Sequence, residues 1–181
     1  YFADRKEWRK WLETNFRTEE DIWLEYPLKK TSKKRILYND AVEEALCFGW
    51  IDSTVKSLND ETTIQRFCRR RKKTAFSQPN IERLRRLFER NLIHDSIKDE
   101  VRNIIQQDFV FPEDILNKLK SDKAVWQNFQ NFSEPYKRIR IAYIDSARKR
   151  PGEFEKRLNN FIEKTKEKSL IKGFGGIDKY Y

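Results

Sequence analysis

The sequence predicts an α+β protein: a small antiparallel sheet flanked by helices, followed by a helical C-terminal region. Three observations predict it. Helical and strand-like apolar spacings alternate through the first half, and beyond Asn91 the apolar patterns are all helical. Core material is plentiful, with 13 Phe, 7 Tyr and 5 Trp in a chain of 181 residues of which 38% are charged. A disordered chain lacks that aromatic content.

Asp4, with Glu7 three positions on, opens a first helix in which Trp8, Trp11 and Leu12 share one face. Residues 21–28 read as a strand from Ile22, Trp23, Leu24 and Tyr26, halted at Pro27. A loop carrying Lys29, Lys30, Lys33, Lys34 and Arg35 follows. Asn39 is expected to cap a helix that turns Val42, Ala45 and Leu46 inward, and Gly49 suits its left-handed C-terminal cap. Residues 50–56 and 62–69 form the arms of a hairpin, with turn chemistry at Ser57-Leu58-Asn59-Asp60. A loop at Asn59-Asp60 sets Ile51 opposite Cys68 and Val55 opposite Ile64, and brings Asp52 within diagonal reach of Arg69. Ser77 with Pro79 then starts a helix carrying Ile81, Leu84, Leu87 and Phe88.

The second half holds helices marked by Val101, Ile104 and Ile105, by Ile115, Leu116 and Leu119 after Pro112, and by Val125 and Phe129 after an opening Ser121. Ser133 with Pro135 begins a longer helix aligning Ile139, Tyr143 and Ala147, and Pro151-Gly152 separates it from Phe154, Leu158, Phe161 and Ile162. The expected organisation is an α+β domain over 1–108, a helical module over 109–172 and a flexible tail over 173–181.

The net charge of +10 is concentrated toward the first half, in the Lys29–Arg35 loop and in Arg66, Arg69, Arg70, Arg71, Lys72 and Lys73. Such an excess suits an anionic ligand, nucleic acid or an acidic protein as partner. Arg70 and Arg71 offer planar forks for phosphate, and Trp50 or Phe76 could stack on a base. The plain alternative is a solvated basic hairpin, in which Asp52 pairs with Arg69 or Arg70. Lys30, Asp52, Arg70 and Lys73 are the residues expected to line any functional surface.

Catalysis finds little to work with. The chain has no nucleophile elbow, phosphate loop or dinucleotide fingerprint, and no cofactor or metal is expected. Glu43 and Glu44 are successive on a helix and point in different directions, which leaves Asp52 as the one general-base candidate. His94 stands alone between Ile93 and Asp95, where a surface or cap role is expected. Cys47 and Cys68 are too far apart for a C-x-x-C motif and are expected to be reduced thiols packed as small hydrophobes. Trp126, Phe129, Phe132 and Tyr136 suit core packing, with interface anchors as the alternative. No apolar run approaches the roughly 20 residues that span a bilayer, and no export signal precedes the first helix. The expected location is the cytoplasm, or the periplasm had a signal been removed.

A resemblance adds to this. Leu37-Tyr38 with the run Ala41-Val42-Glu43-Glu44-Ala45-Leu46-Cys47-Phe48-Gly49-Trp50-Ile51-Asp52 resembles the signature of the bacteriocin-protection, YdeI/OmpD-associated family. Phe67, Arg70, Ser77 and Asn80 fall at similar spacing, and Phe111-Pro112-Glu113-Asp114, Ala124, Phe129 and Ile144-Asp145-Ser146-Ala147-Arg148 resemble the family's helical C-terminal module. Arg69, Thr74 and Phe76 stand where that family has Pro, Ser and Trp. The resemblance implies a bacterial stress- or bacteriocin-protection protein acting through binding.

Overall fold

In the computed structural model, residues 1–71, 75–173 and 178 are described. The chain divides into two compact units, Tyr1–Phe76 with Arg83–Gln106 and Ser77–Glu82 with Gln107–Tyr181.

The first unit opens with α1 (Arg5–Asn15). The Asp4 carboxylate accepts from the amides of Lys6 at 2.9 Å and Glu7 at 3.2 Å, satisfying two donors that a helix start leaves bare. The strands β1 (Asp21–Pro27), β2 (Trp50–Asn59) and β3 (Thr62–Arg69) form an antiparallel sheet in the order β1-β3-β2. The last strand in sequence is therefore the central one. Between the first two strands lie a 3-10 turn (Lys29–Thr31) and α2 (Tyr38–Cys47). The core of the unit gathers Trp8 and Leu12 of α1, Leu24 of β1, Ala45 and Leu46 of α2, and Trp50 and Phe67 of the hairpin, each at most 1% exposed. Trp8 stacks on Trp11 with centroids 5.3 Å apart and donates its indole N–H to the Ala41 carbonyl at 3.0 Å, so the polar end of a buried ring is satisfied. Helix α3 (Gln78–Glu89) brings Leu84 and Leu87, and α4 (Lys98–Ile105) brings Val101.

Two expectations in this unit need correction. Helix α2 begins one residue before Asn39, with Leu37 at the cap position and no side-chain cap, and the Asn39 carbonyl oxygen instead accepts from Arg83 at 3.1 Å. Packing holds this helix start in place of a cap: seven of its ten residues, Ala41 to Cys47 without a break, are buried. The hairpin keeps Ile51 opposite Cys68 but sets Val55 opposite Gln65, because β2 carries one extra residue between Asp52 and Val55 and another between Ser57 and Asn59. Each bulge shifts the pairing by one residue and turns the following side chains to the other face. The loop is thereby Asp60-Glu61, and Val55, expected in an apolar stripe, is 60% exposed.

The second unit packs α5 (Glu113–Lys120), α6 (Lys123–Asn131), α7 (Glu134–Asp145) and α8 (Pro151–Lys166) around Ile115, Leu119, Val125, Phe129, Tyr136, Ile144, Leu158 and Phe161. Ser121 does not open α6; it ends α5, and Asp122 caps α6 by accepting from Ala124 and Val125, its carboxylate serving two amides at once. Ser133 and Pro151 stand at helix starts as expected. Trp126 and Phe132 pack half-buried against the core beside the buried Phe129 and Tyr136, so all four aromatics take part in core packing. Most of the tail expected over 173–181 lies outside the described residues; the Gly173 amide donates to the Asp178 carboxylate at 3.3 Å. Among the described residues, no helix is long and apolar enough to cross a membrane.

Candidate functional site

The chain leaves α2 through Gly49 at φ +74, a left-handed conformation that glycine adopts without a Cβ penalty. The sharp turn sends Trp50 directly into β2, and the Gly49 carbonyl accepts from the Arg70 amide at 3.0 Å. Arg70 is thus fixed just past the end of β3, beside the end of α2. A pocket of about 310 Å³ opens there. Its apolar wall comes from Phe16, Phe48, Trp50, Phe76, Ile97 and Val101, and its charged residues are Arg17, Arg69, Arg70 and Glu100.

These charges are not equivalent. Arg69 donates to the backbone carbonyls of Glu19, at 2.8 Å, and Arg17, so it ties β3 to the segment after α1. Arg70 lies flat against Phe76, with its guanidinium carbon 3.4 Å from the ring centroid. Among the described residues its side chain has no hydrogen-bond acceptor. Burial lowers its pKa, opposed only by the charge of the exposed Glu100. Stacking occupies the face of the guanidinium and leaves its N–H edge for an acceptor lying in the same plane, the geometry that fits carboxylate and phosphate. Of the two aromatics expected to stack on a base, Phe76 is therefore covered by Arg70. Trp50 is 1% exposed, with its indole N–H donated to the Phe16 carbonyl at 3.2 Å.

Asp52 stands elsewhere. Opposite Phe67 on β3, it accepts on Oδ2 from the Tyr38 hydroxyl at 2.8 Å and from the Gln65 amide at 3.0 Å. The expected Asp52 pairing with Arg69 or Arg70 does not form: Asp52 is taken by Tyr38 and Gln65, and Arg69 by the Glu19 and Arg17 carbonyls. Asp52 lines a separate depression of about 430 Å³ with Tyr26, Arg35 and Tyr38. Burial and the Asp52 charge push the Tyr38 hydroxyl up to about 12, so it keeps its proton and donates it. Lys30 is exposed on the 3-10 turn and lines neither depression, and Lys73 lies outside the described residues. The four residues singled out from sequence thus divide between places. The apolar wall of the Arg70 pocket was missed, because Phe48, Ile97 and Val101 follow ordinary core spacing.

The other acid–base groups are occupied structurally. Glu44 is 3% exposed and accepts from Arg5 and, at 2.7 Å, from Arg9, while Arg5 also reaches Glu43 at 3.0 Å. Cys47 is a buried free thiol, raised to about 12 by burial and then by the Glu44 charge, and Cys68 is free and half-buried. His94 caps the 3-10 turn Asp95–Ile97, where its Nδ1 accepts from the Ser96 amide at 3.1 Å, and its ring leans on Phe16. Among the described residues, no three His, Cys, Asp or Glu side chains gather as a metal ligand set.

No curated protein and no solved structure shows significant similarity to the chain. Residues 108–168 match the family model described as Bacteriocin-protection, YdeI or OmpD-Associated. That span contains Phe111-Pro112-Glu113-Asp114 and residues 144–148, and it bears out the resemblance in the helical C-terminal segment. The Ala-Leu-Cys-Phe-Gly-Trp-Ile-Asp string falls instead within residues 1–100, which match a second model. Through those residues, more than half of its length, the chain belongs to the family described as a domain of unknown function (DUF8412), with a bacteriocin-protection, YdeI or OmpD-associated segment following it.

Proposed function

We propose that the protein acts in stress or bacteriocin protection as a binding protein, and that the Arg70 pocket takes a small organic anion joining a carboxylate, phosphate or sulfonate to an apolar body. The observation that carries this reading is the state of Arg70: partly buried, stacked on Phe76 and without an acceptor among the described residues, at the edge of an apolar cavity. A volume of about 310 Å³ lies at the lower end of small-ligand sites. The match of residues 108–168 supports the protective role. Two free thiols support a cytoplasmic setting.

The geometry favours a compact ligand over a polyanion. Arg66 is engaged with Asp21 and Arg69 with backbone carbonyls, so two cations of the basic run are tied into the fold. It also favours binding over acid–base chemistry, since Oδ2 of Asp52 is held by two donors. Calorimetric titration with phenyl phosphate, inorganic phosphate and a single-stranded oligonucleotide tests the reading. Phenyl phosphate is expected to bind more tightly than inorganic phosphate, and Arg70→Ala to weaken it at least about tenfold, the scale of one charge-assisted hydrogen bond. Oligonucleotide binding with a steep salt dependence, and none by phenyl phosphate, would replace the pocket with a phosphate-tracking surface.

A further inference from the structure

We infer that the ligand of the Arg70 pocket carries an ammonium group beside its anionic group, and that the pocket takes an apolar α-amino acid, with the carboxylate on Arg70 and the ammonium on Glu100. The inference rests on the anion-binding reading above and narrows its ligand. It starts from helix α4. Ile97, Glu100, Val101 and Ile104 recur at i, i+3, i+4 and i+7, the spacing of one helix face, and all four line the pocket. Three of the four are aliphatic. The fourth sets a carboxylate in a stripe that packing alone would fill with another apolar residue.

Glu100 differs from the acids around it. Asp99 pairs with Arg102 at 2.5 Å and Asp95 with Lys98 at 3.7 Å, each three residues along the chain. The Glu100 side chain is exposed and has no ion pair or hydrogen bond among the described residues. It does not pair with Arg70, yet its charge is what opposes the effect of burial on that guanidinium. A cation and an anion thus share one pocket without meeting, and both are open to a ligand, Arg70 being half-buried and Glu100 exposed. The other cations of the pocket are placed differently: Arg69 is held by backbone carbonyls, and Arg17 is exposed with its guanidinium over Phe16 at 5.2 Å. A purely anionic ligand on Arg70 brings like charge toward Glu100, whereas an ammonium on the same ligand turns that repulsion into attraction. In an α-amino acid both groups stand on one carbon, and the side chain is left for the apolar wall of Phe48, Ile97 and Val101.

Calorimetric titration of the full chain at neutral pH with L-phenylalanine and 3-phenylpropionate, which differ only in the ammonium group, tests this in the parent and Glu100→Gln chains. Phenylalanine is expected to bind the parent at least about threefold more tightly than 3-phenylpropionate, the scale of an ion pair at an exposed carboxylate. Glu100→Gln is expected to abolish that advantage while 3-phenylpropionate binds as tightly as before or more tightly. The two ligands share shape and carboxylate, so a general disturbance of the pocket would weaken both. The inference is overturned if 3-phenylpropionate binds the parent as tightly as phenylalanine does, or if the advantage survives Glu100→Gln; binding of 3-phenylpropionate then leaves the anion pocket standing. If neither of them binds and phenyl phosphate does not bind either, the anion-binding reading falls and this inference falls with it.

Discussion

Two places in the first unit set arginine against aromatic rings and the helix α2, and they use the same chemistry to opposite ends. At the junction of α1 and α2, Arg5 and Arg9 meet Asp40, Glu43 and Glu44, and the guanidinium of Arg9 also lies over Phe48 at 5.2 Å. At the far end of α2, Arg70 meets Phe76 but no carboxylate within hydrogen-bonding distance among the described residues. In the first place Glu43 and Glu44 are buried while Asp40 and the arginines are about 30% exposed, so the cations serve to make two buried anions tolerable. In the second the cation faces a cavity. Their pKa values record the contrast: for Arg5 the Glu44, Glu43 and Asp40 carboxylates outweigh a larger single effect of burial and raise it, while for Arg70 burial prevails and lowers it. Charge that balances builds the fold, and charge left unbalanced beside a cavity is where a ligand can contribute.

The largest effect should come from breaking the balance. Arg5→Ala takes one cation from both Glu43 and Glu44, leaving Arg9 on Glu44, and a loss of about 3 kcal/mol is expected, the lower end for one partner removed from a buried pair. The shift of the urea midpoint measures it. A loss within about 0.5 kcal/mol would mean that the cluster is no more than a surface network and would erase the contrast with Arg70.

Gly49→Ala comes next, because it touches both places at once. Its Cβ would meet an Ile97 methyl at an ordinary 3.5 Å, so the cost is that of the left-handed backbone, about 1–2 kcal/mol. The same change should weaken phenyl phosphate binding, since the Gly49 carbonyl holds the Arg70 amide. Stability lost with affinity intact would show that Arg70 is placed by β3 alone.

A smaller effect is expected from alkaline pH. The Cys47 thiol, buried beside Glu44, holds its proton up to about 12 in the folded chain against an ordinary 9.0. The unfolded chain therefore releases a proton that the folded chain keeps, and this contribution to stability is lost as pH rises through that interval. Denaturation midpoints across the interval should fall less steeply for Cys47→Ala than for the parent chain, and parallel curves would exclude the thiol as a contributor.

The fold was largely legible because its determinants are local. Asp4, Ser133 and Pro151 stand at helix starts, Gly49 ends α2, and the spacing of Trp8, Trp11 and Leu12 marks a buried face. What escaped the sequence was long-range. Neither bulge in β2 has a residue signature, so the register beyond Asp52 came out one residue off, while Asp52 itself keeps its expected place opposite Phe67 and turns to Tyr38, a residue of α2, and Gln65 instead of Arg69. Asn39 and Ser121 are sound cap residues by type, but Arg83 takes the first and Asp122 displaces the second. For the site, Arg70 was legible as a cation near Phe76 and Trp50. Its distinction from Arg66 and Arg69 was not, because it depends on acceptors contributed by Asp21, Arg17 and Glu19, remote in sequence.

The most direct test pairs stability with affinity in one variant. Arg70→Ala is expected to change the urea midpoint by no more than about 0.5 kcal/mol while phenyl phosphate binding drops at least about tenfold, with Arg5→Ala showing the large stability loss. An Arg70→Ala chain that unfolds, or that binds phenyl phosphate as the parent does, would contradict the account, because Arg70 would then be either another structural cation or an idle one.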